Sequence, residues 1–153
     1  MQRFSKFIDE GPNDPAIFKA IFLAGGPGSG KSFMVKETGL KALGFRVVNS
    51  DIPFERAMEK AGLEMDPDTI FSVAGQTARQ SAKTITDAQM QGYLTGRLGL
   101  VIDGTGKNFD KIKTQATELK KLGYDVSMIF VNTDLDTAIS RNDKRPRSLP
   151  TPT

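Results

Sequence analysis

One octapeptide constrains the fold of this chain more than anything around it. Gly25-Gly26-Pro27-Gly28-Ser29-Gly30-Lys31-Ser32 follows directly on the apolar run Ala20-Ile21-Phe22-Leu23 and leads into Ser32 to Leu43, which reads as a helix ending at Gly44. The segment satisfies G-x-x-x-x-G-K-[ST] at every fixed position, the pattern of a phosphate-binding loop set between a strand and a helix. Its chemistry requires those residue types. Glycines let the backbone wrap closely round a polyphosphate with its N–H groups turned inward, and Pro27 stiffens the turn. Lys31 brings a mobile ammonium to phosphate oxygens, Ser32 offers a hydroxyl to Mg²⁺, and the helix contributes the positive end of its dipole.

Such a loop needs a parallel sheet behind it, and the other apolar runs supply one. Phe45-Arg46-Val47-Val48, Leu100-Val101-Ile102 and Val126-Ser127-Met128-Ile129-Phe130-Val131 read as strands, continuous rather than alternating, as strands covered on both faces should be. Asn108 to Leu122 reads as a helix with Phe109, Ile112, Ala116 and Leu119 on one face and Lys120, Lys121 and Gly123 at its end. The series is βαβ, an α/β fold. The interval between the second and third strands is longer. It opens with Ile52-Pro53, turns at Asp66-Pro67-Asp68 and then predicts one helix from Thr69 to about Thr95. The stripe Phe71, Ala74, Ala78, Ala82, Ile85 is mostly alanine and buries little, so this helix either flanks a ligand cleft or packs lightly on the sheet edge.

Composition narrows the chemistry. With no Cys and no His, the chain makes no disulfide, thiolate nucleophile, Cys/His zinc site or imidazole base, so a general base must be carboxylate, Lys or Tyr. No apolar run approaches the roughly 20 residues of a membrane-spanning helix. The N-terminus lacks the apolar core of a signal peptide, which reads as a soluble, cytoplasmic protein without membrane partners. At 153 residues the expectation is one domain over residues 1–147, with its core at 18–145 and a Pro-rich tail at 148–153. Net charge is +3, and residues 77–153 hold twelve basic side chains against eight acidic ones. A surplus so small suits an anionic ligand but is no footprint for a long nucleic acid.

In a parallel sheet all carboxyl ends share one edge, and the residues leaving those ends are the candidates for chemistry. Asp103 closes the third strand, where a carboxylate can hold Mg²⁺ together with Ser32, directly or through water, or else begins the turn Gly104-Thr105-Gly106. Asp51 follows the second strand and is the best-placed base for an acceptor hydroxyl; alternatively Ser50 or Asp51 caps the helix at Pro53. After the fourth strand, Arg141 and Arg145 lie four apart on one helix face, suited to neutralising charge on a transferring phosphoryl group. Arg56, Arg79, Lys83, Thr105 and Lys107 are the candidates for binding an acceptor near Asp51, their alternative being a solvated surface.

The phosphate loop, Val48-Asn49-Ser50-Asp51, Val101-Ile102-Asp103-Gly104-Thr105 and Arg141-Asn142-Asp143-Lys144-Arg145-Pro146-Arg147 together resemble the P-loop kinases of the zeta toxin and polynucleotide kinase group, over residues 20–147. The resemblance implies a three-layer P-loop NTPase fold with a mostly parallel sheet of at least four strands in the order 2-3-1-4. It also implies Asp51 as the base, Lys31 with Arg141 and Arg145 as catalytic cations, Arg141 also touching the nucleotide, and ATP (or another NTP) and Mg²⁺ as cofactors. Asp103 stands where zeta toxins carry Glu, which weakens any transfer of their sugar-nucleotide specificity to this chain. Members of the group continue past these arginines with another strand and helix, whereas this sequence stops at Thr153, which reads as a fragment, a natural truncation or a minimal domain assembled with a partner; an unfinished sheet edge would allow self-association. The expected function is transfer of the γ-phosphoryl group of ATP to a hydroxyl of a small molecule or a nucleic-acid end. An NTP hydrolase or switch, and a nucleotide-binding module without turnover, are the alternatives.

Overall fold

The computed structural model describes residues 17–143; the expected tail, Arg145 and the first sixteen residues lie outside them. Four strands, β1 (Lys19–Ala24), β2 (Arg46–Val48), β3 (Leu100–Asp103) and β4 (Asp125–Phe130), form one parallel sheet in the order β2-β3-β1-β4. Register aligns Leu23 with Asp103 and Val48 with Ile102, so the phosphate loop, Asn49 and Asp103 leave the sheet at one edge. Between the strands run α1 (Lys31–Glu37), α2 (Asp51–Lys60), α3 (Pro67–Phe71), α4 (Val73–Thr95) and α5 (Phe109–Lys121), and α6 (Leu135–Asp143) follows β4.

Strand alternation divides the core into two faces. Ala20, Phe22, Val48 and Leu100 pack with Leu119 of α5 and with Met90, Tyr93 and Leu94 of α4. Leu23 and Val101 pack on the opposite face against Val35 of α1 and against Leu40 and Phe45. The result is the expected three-layer arrangement. A separate cluster, Phe54, Met58, Ile70, Ala78 and Ala82, joins α2, α3 and α4 beyond the sheet, which gives that long interval a core of its own.

Three local expectations are corrected. The first helix stops at Glu37 rather than Leu43, because Thr38 turns its hydroxyl back onto the Met34 carbonyl (2.8 Å) and Gly39 takes φ 64°, the left-handed C-terminal cap. The predicted helix from Thr69 is interrupted at Ser72, whose backbone is extended (ψ 166°) and whose Oγ accepts from the Gly75 N–H at 3.1 Å, starting α4 afresh. The buried stripe is therefore Gly75, Ala78, Ala82 and Thr86, while Phe71, Ala74 and Ile85 face outward. Finally, β4 is covered only in part: among the described strands it lies at the sheet edge beside β1, Val126 and Ile129 pack inward on opposite faces, and Met128 (52%) and Phe130 (67%) are exposed. On α5, Ile112, Ala116 and Leu119 turn toward the core as expected, and Phe109 at its start is exposed. None of the described helices is long and apolar enough to cross a membrane.

Candidate active site

At the carboxyl edge of the sheet a cavity of about 810 Å³ is lined by the phosphate loop from Pro27 to Ser32, by Asn49, Ser50, Asp51 and Glu55, by Met65 and Arg79, by Asp103, Gly104 and Thr105, and by Asn142. Six segments of the chain meet there: β1, β2 and β3 deliver the phosphate loop, Asn49 to Glu55 and Asp103 to Thr105 from their carboxyl ends, while Met65, Arg79 and Asn142 come from the α2–α3 connection, α4 and α6. Gly25 and Gly26 open the loop just outside this lining, and the Gly25 N–H donates to the carbonyl of Thr105, two residues past β3, at 3.3 Å.

The loop has the backbone that its glycines were expected to allow. Gly28 has φ 78° and Gly30 φ 99°, left-handed values that disfavour a side chain. At Gly28 the reason extends beyond the loop: an added Cβ would run into the Ala138 carbonyl oxygen, so α6 rests directly on the loop. An added Cβ at Gly30 would lie 3.6 Å from Arg141 Nη1, which places that guanidinium over the end of the loop. Lys31 Nζ donates to the Gly25 carbonyl at 2.6 Å and to the Gly26 carbonyl at 2.9 Å, folding the ammonium back onto the loop it serves.

The two carboxylates are organised by a residue to which the sequence reading assigned no role. Asn49 Nδ2 donates to Asp103 Oδ2 at 2.8 Å, and Asn49 Oδ1 accepts from the Asp51 backbone N–H at 2.6 Å. One side-chain amide thus ties β3 to the first residue of α2. Capping is the work of Asn49, since Ser50 makes no capping bond with its side chain, and Asp51 sits exposed in the first turn of α2 on the cavity wall. The signal was present in the sequence as an Asx two residues before the start of a helix.

Ser32 and Asp103 both line the cavity and offer a hydroxyl and a carboxylate, the hard oxygen donors that Mg²⁺ takes while keeping water and phosphate in its remaining positions. The residues present fit that ion. Among the described residues no group of three or more His, Cys, Asp or Glu gathers into a denser metal cluster.

The acceptor candidates separate. Thr105 and Arg79 line the cavity; Lys83 is exposed outside it, and Arg56 lines a second depression between α2 and α4. Glu55, Met65 and Asn142 also line the cavity without having been singled out, and Asn142 is buried. Arg141 is exposed on α6. That helix is capped by Asp134, whose Oδ1 accepts from the Thr137 N–H at 2.8 Å. This bond, with Arg141 adding a smaller attraction, holds the Asp134 carboxyl below its usual range.

The family model of the AAA domain matches residues 21–152. No protein of curated function matches the chain. Among solved structures it is similar to a protein of the PezAT chromosomal toxin–antitoxin system of Streptococcus pneumoniae, with 19% identity and a TM-score of 0.63 over 82% of this chain and 53% of that one. A chain of the Pnkp1/Rnl/Hen1 RNA repair complex gives 20% identity and a TM-score of 0.62 over 93% of this chain and 42% of its own length. A candidate kinase from Chloroflexus aurantiacus gives 16% and 0.59 over 80% and 63%. The chain thus spans between 42% and 63% of the length of these proteins. The likeness is one of fold.

Proposed function

We propose that this chain, which belongs to the AAA domain family, is an ATP-dependent phosphotransferase that moves the γ-phosphoryl group to a hydroxyl of a small molecule or a nucleic-acid end. The observation that carries this reading is the convergence of the phosphate loop, Asp51 and Asp103 on one cavity, with Arg141 over the loop. In it, the backbone N–H groups from Gly26 to Ser32 and the Lys31 ammonium hold the phosphates, Lys31 exchanging its bonds with the Gly25 and Gly26 carbonyls for phosphate oxygens. Ser32 and Asp103 would hold Mg²⁺, which when bound neutralises charge on the phosphate oxygens. Asp51 accepts the hydroxyl proton; the acceptor oxygen bonds to the γ-phosphorus as the bond to the β–γ bridging oxygen breaks and ADP leaves. Arg141, with Arg145 following it in the sequence, stabilises the charge that spreads over the phosphoryl oxygens.

The test is a screen with γ-labelled ATP and Mg²⁺ against nucleosides, oligonucleotide ends, nucleotide sugars and aminoglycosides. Label transferred to one class, with Asp51→Asn keeping ATP affinity and losing roughly 10²-fold or more in turnover, is the expected result. ATP cleavage indifferent to every acceptor would favour a hydrolase or switch. Tight nucleotide binding without turnover would favour a binding module.

A further inference from the structure

The wall of the cavity formed by α2 and α4 carries a cation that the phosphate chemistry above does not use. Arg79, on α4, sets its guanidinium over the ring of Phe54, 4.7 Å from the centroid. Phe54 is itself held firmly, being 3% exposed within the α2–α3–α4 cluster. It lies three residues after Asp51, so the two are neighbours on the surface of α2, about one helical turn apart. Among the described residues lining the cavity, Arg79 and Lys31 are the two cations, and Lys31 belongs to the phosphate loop.

Stacking determines which part of Arg79 remains available. The ring covers one face of the guanidinium, so a hydrogen-bond partner must meet its edge, where the N–H donors lie in a plane. Nε is buried and has no hydrogen-bond partner among the described residues. A buried donor of that kind is costly unless something completes it. A planar fork with one face occupied, on a residue that lines a cavity, matches the two oxygens of a phosphate or carboxylate better than a neutral sugar or amine.

We infer that Arg79, steadied by Phe54, is the subsite for an oxyanion carried by the acceptor, so that the hydroxyl presented to Asp51 belongs to a phosphorylated or carboxylated molecule. The inference rests on the phosphotransferase reading and narrows its acceptor class. Glu55 and Asp51 line the same wall and oppose a free anion; an acceptor held by Arg79 therefore orients with its oxyanion at the guanidinium and its uncharged hydroxyl toward the carboxylates.

The test uses the full chain saturated with a non-hydrolysable ATP analogue and Mg²⁺, so that the phosphate loop is occupied, and titrates inorganic phosphate and acetate separately by calorimetry. Saturable binding of at least one anion is expected, weakened tenfold or more in Arg79→Gln and severalfold in Arg79→Lys, which keeps the charge but not the planar fork. Tighter phosphate points to a phosphorylated acceptor, and tighter acetate to a carboxylic acid. Absence of anion binding by the nucleotide-loaded protein, or unchanged binding in a folded Arg79→Gln, overturns the subsite and leaves the phosphotransferase reading standing. Failure of the analogue itself to bind overturns both. Should Arg79→Gln not fold, Arg79→Lys decides, and unaltered anion affinity there refutes the proposal.

Discussion

Asn49→Ala separates the structure's account of the site from a reading in which Asp51 and Asp103 act independently. The substitution removes two hydrogen bonds from one half-buried amide: the donor to Asp103 Oδ2 at 2.8 Å and the acceptor for the Asp51 N–H at 2.6 Å. A hydrogen bond to a charged acceptor contributes about 1.5–3 kcal/mol, and loss of a side-chain cap costs about 0.5–2 kcal/mol. Water reaches a half-buried site and recovers part of both. The net loss should be about 2–4 kcal/mol, which for a domain of this size is a fall in Tm of roughly 5–15 °C. Denaturant unfolding of Asn49→Ala, Asp103→Ala and the double variant gives the coupling directly. Because the two side chains touch, the double variant should be less destabilised than the sum of the singles by about 1 kcal/mol or more. Asn49→Asp keeps the cap acceptor but faces Asp103 with a like charge, and should be less stable than the alanine variant at neutral pH. An Asn49→Ala protein within about 0.5 kcal/mol of the parent, or strict additivity with Asp103→Ala, would refute the bridge.

Three further outcomes follow from other parts of the molecule. Lys31→Ala should abolish most ATP affinity by calorimetry while moving stability by less than about 1 kcal/mol, because the bonds it loses are to carbonyls at an open loop. Gly75→Ala should destabilise by about 1–3 kcal/mol in urea, since its Cβ would collide with the Thr69 and Ile70 carbonyl oxygens where α3 lies against α4; an unaffected midpoint would show that this junction is soft. Asp66 and Asp134 both have carboxyls lowered from the ordinary 3.8 by bonds from Thr69 and Thr137 respectively. Their folded values lie below their unfolded ones, so the stability they contribute is present above that ordinary value and is lost as pH falls through the lowered ones. The double variant Asp66→Asn, Asp134→Asn should show a shallower acid decline of Tm than the parent, and identical acid slopes would exclude the caps as its source.

What the sequence determined by itself was whatever chemistry is local. The octapeptide Gly25 to Ser32 specifies its own backbone, because left-handed dihedrals and a missing Cβ are properties of the residues in the loop, and the strand before it follows from a run of apolar residues. The strand order was legible only through the family resemblance, which treats the loop as part of a known parallel sheet. Tertiary structure decided what depends on partners distant along the chain. Asn49 meets Asp103 across 54 residues, so no spacing rule could link them. Arg79 acquires its place from a ring on another helix, whereas Lys83, four residues on, shares its helical side in sequence and remains outside the cavity. The break at Ser72 was hidden for a related reason. A serine inside a helical pattern is ambiguous until close contact between two helices, here at Gly75, makes the extended backbone and its cap the lower-energy choice. Exposure of β4 depends on which elements stand beside it, a property of the packed assembly that four apolar residues in a row do not encode.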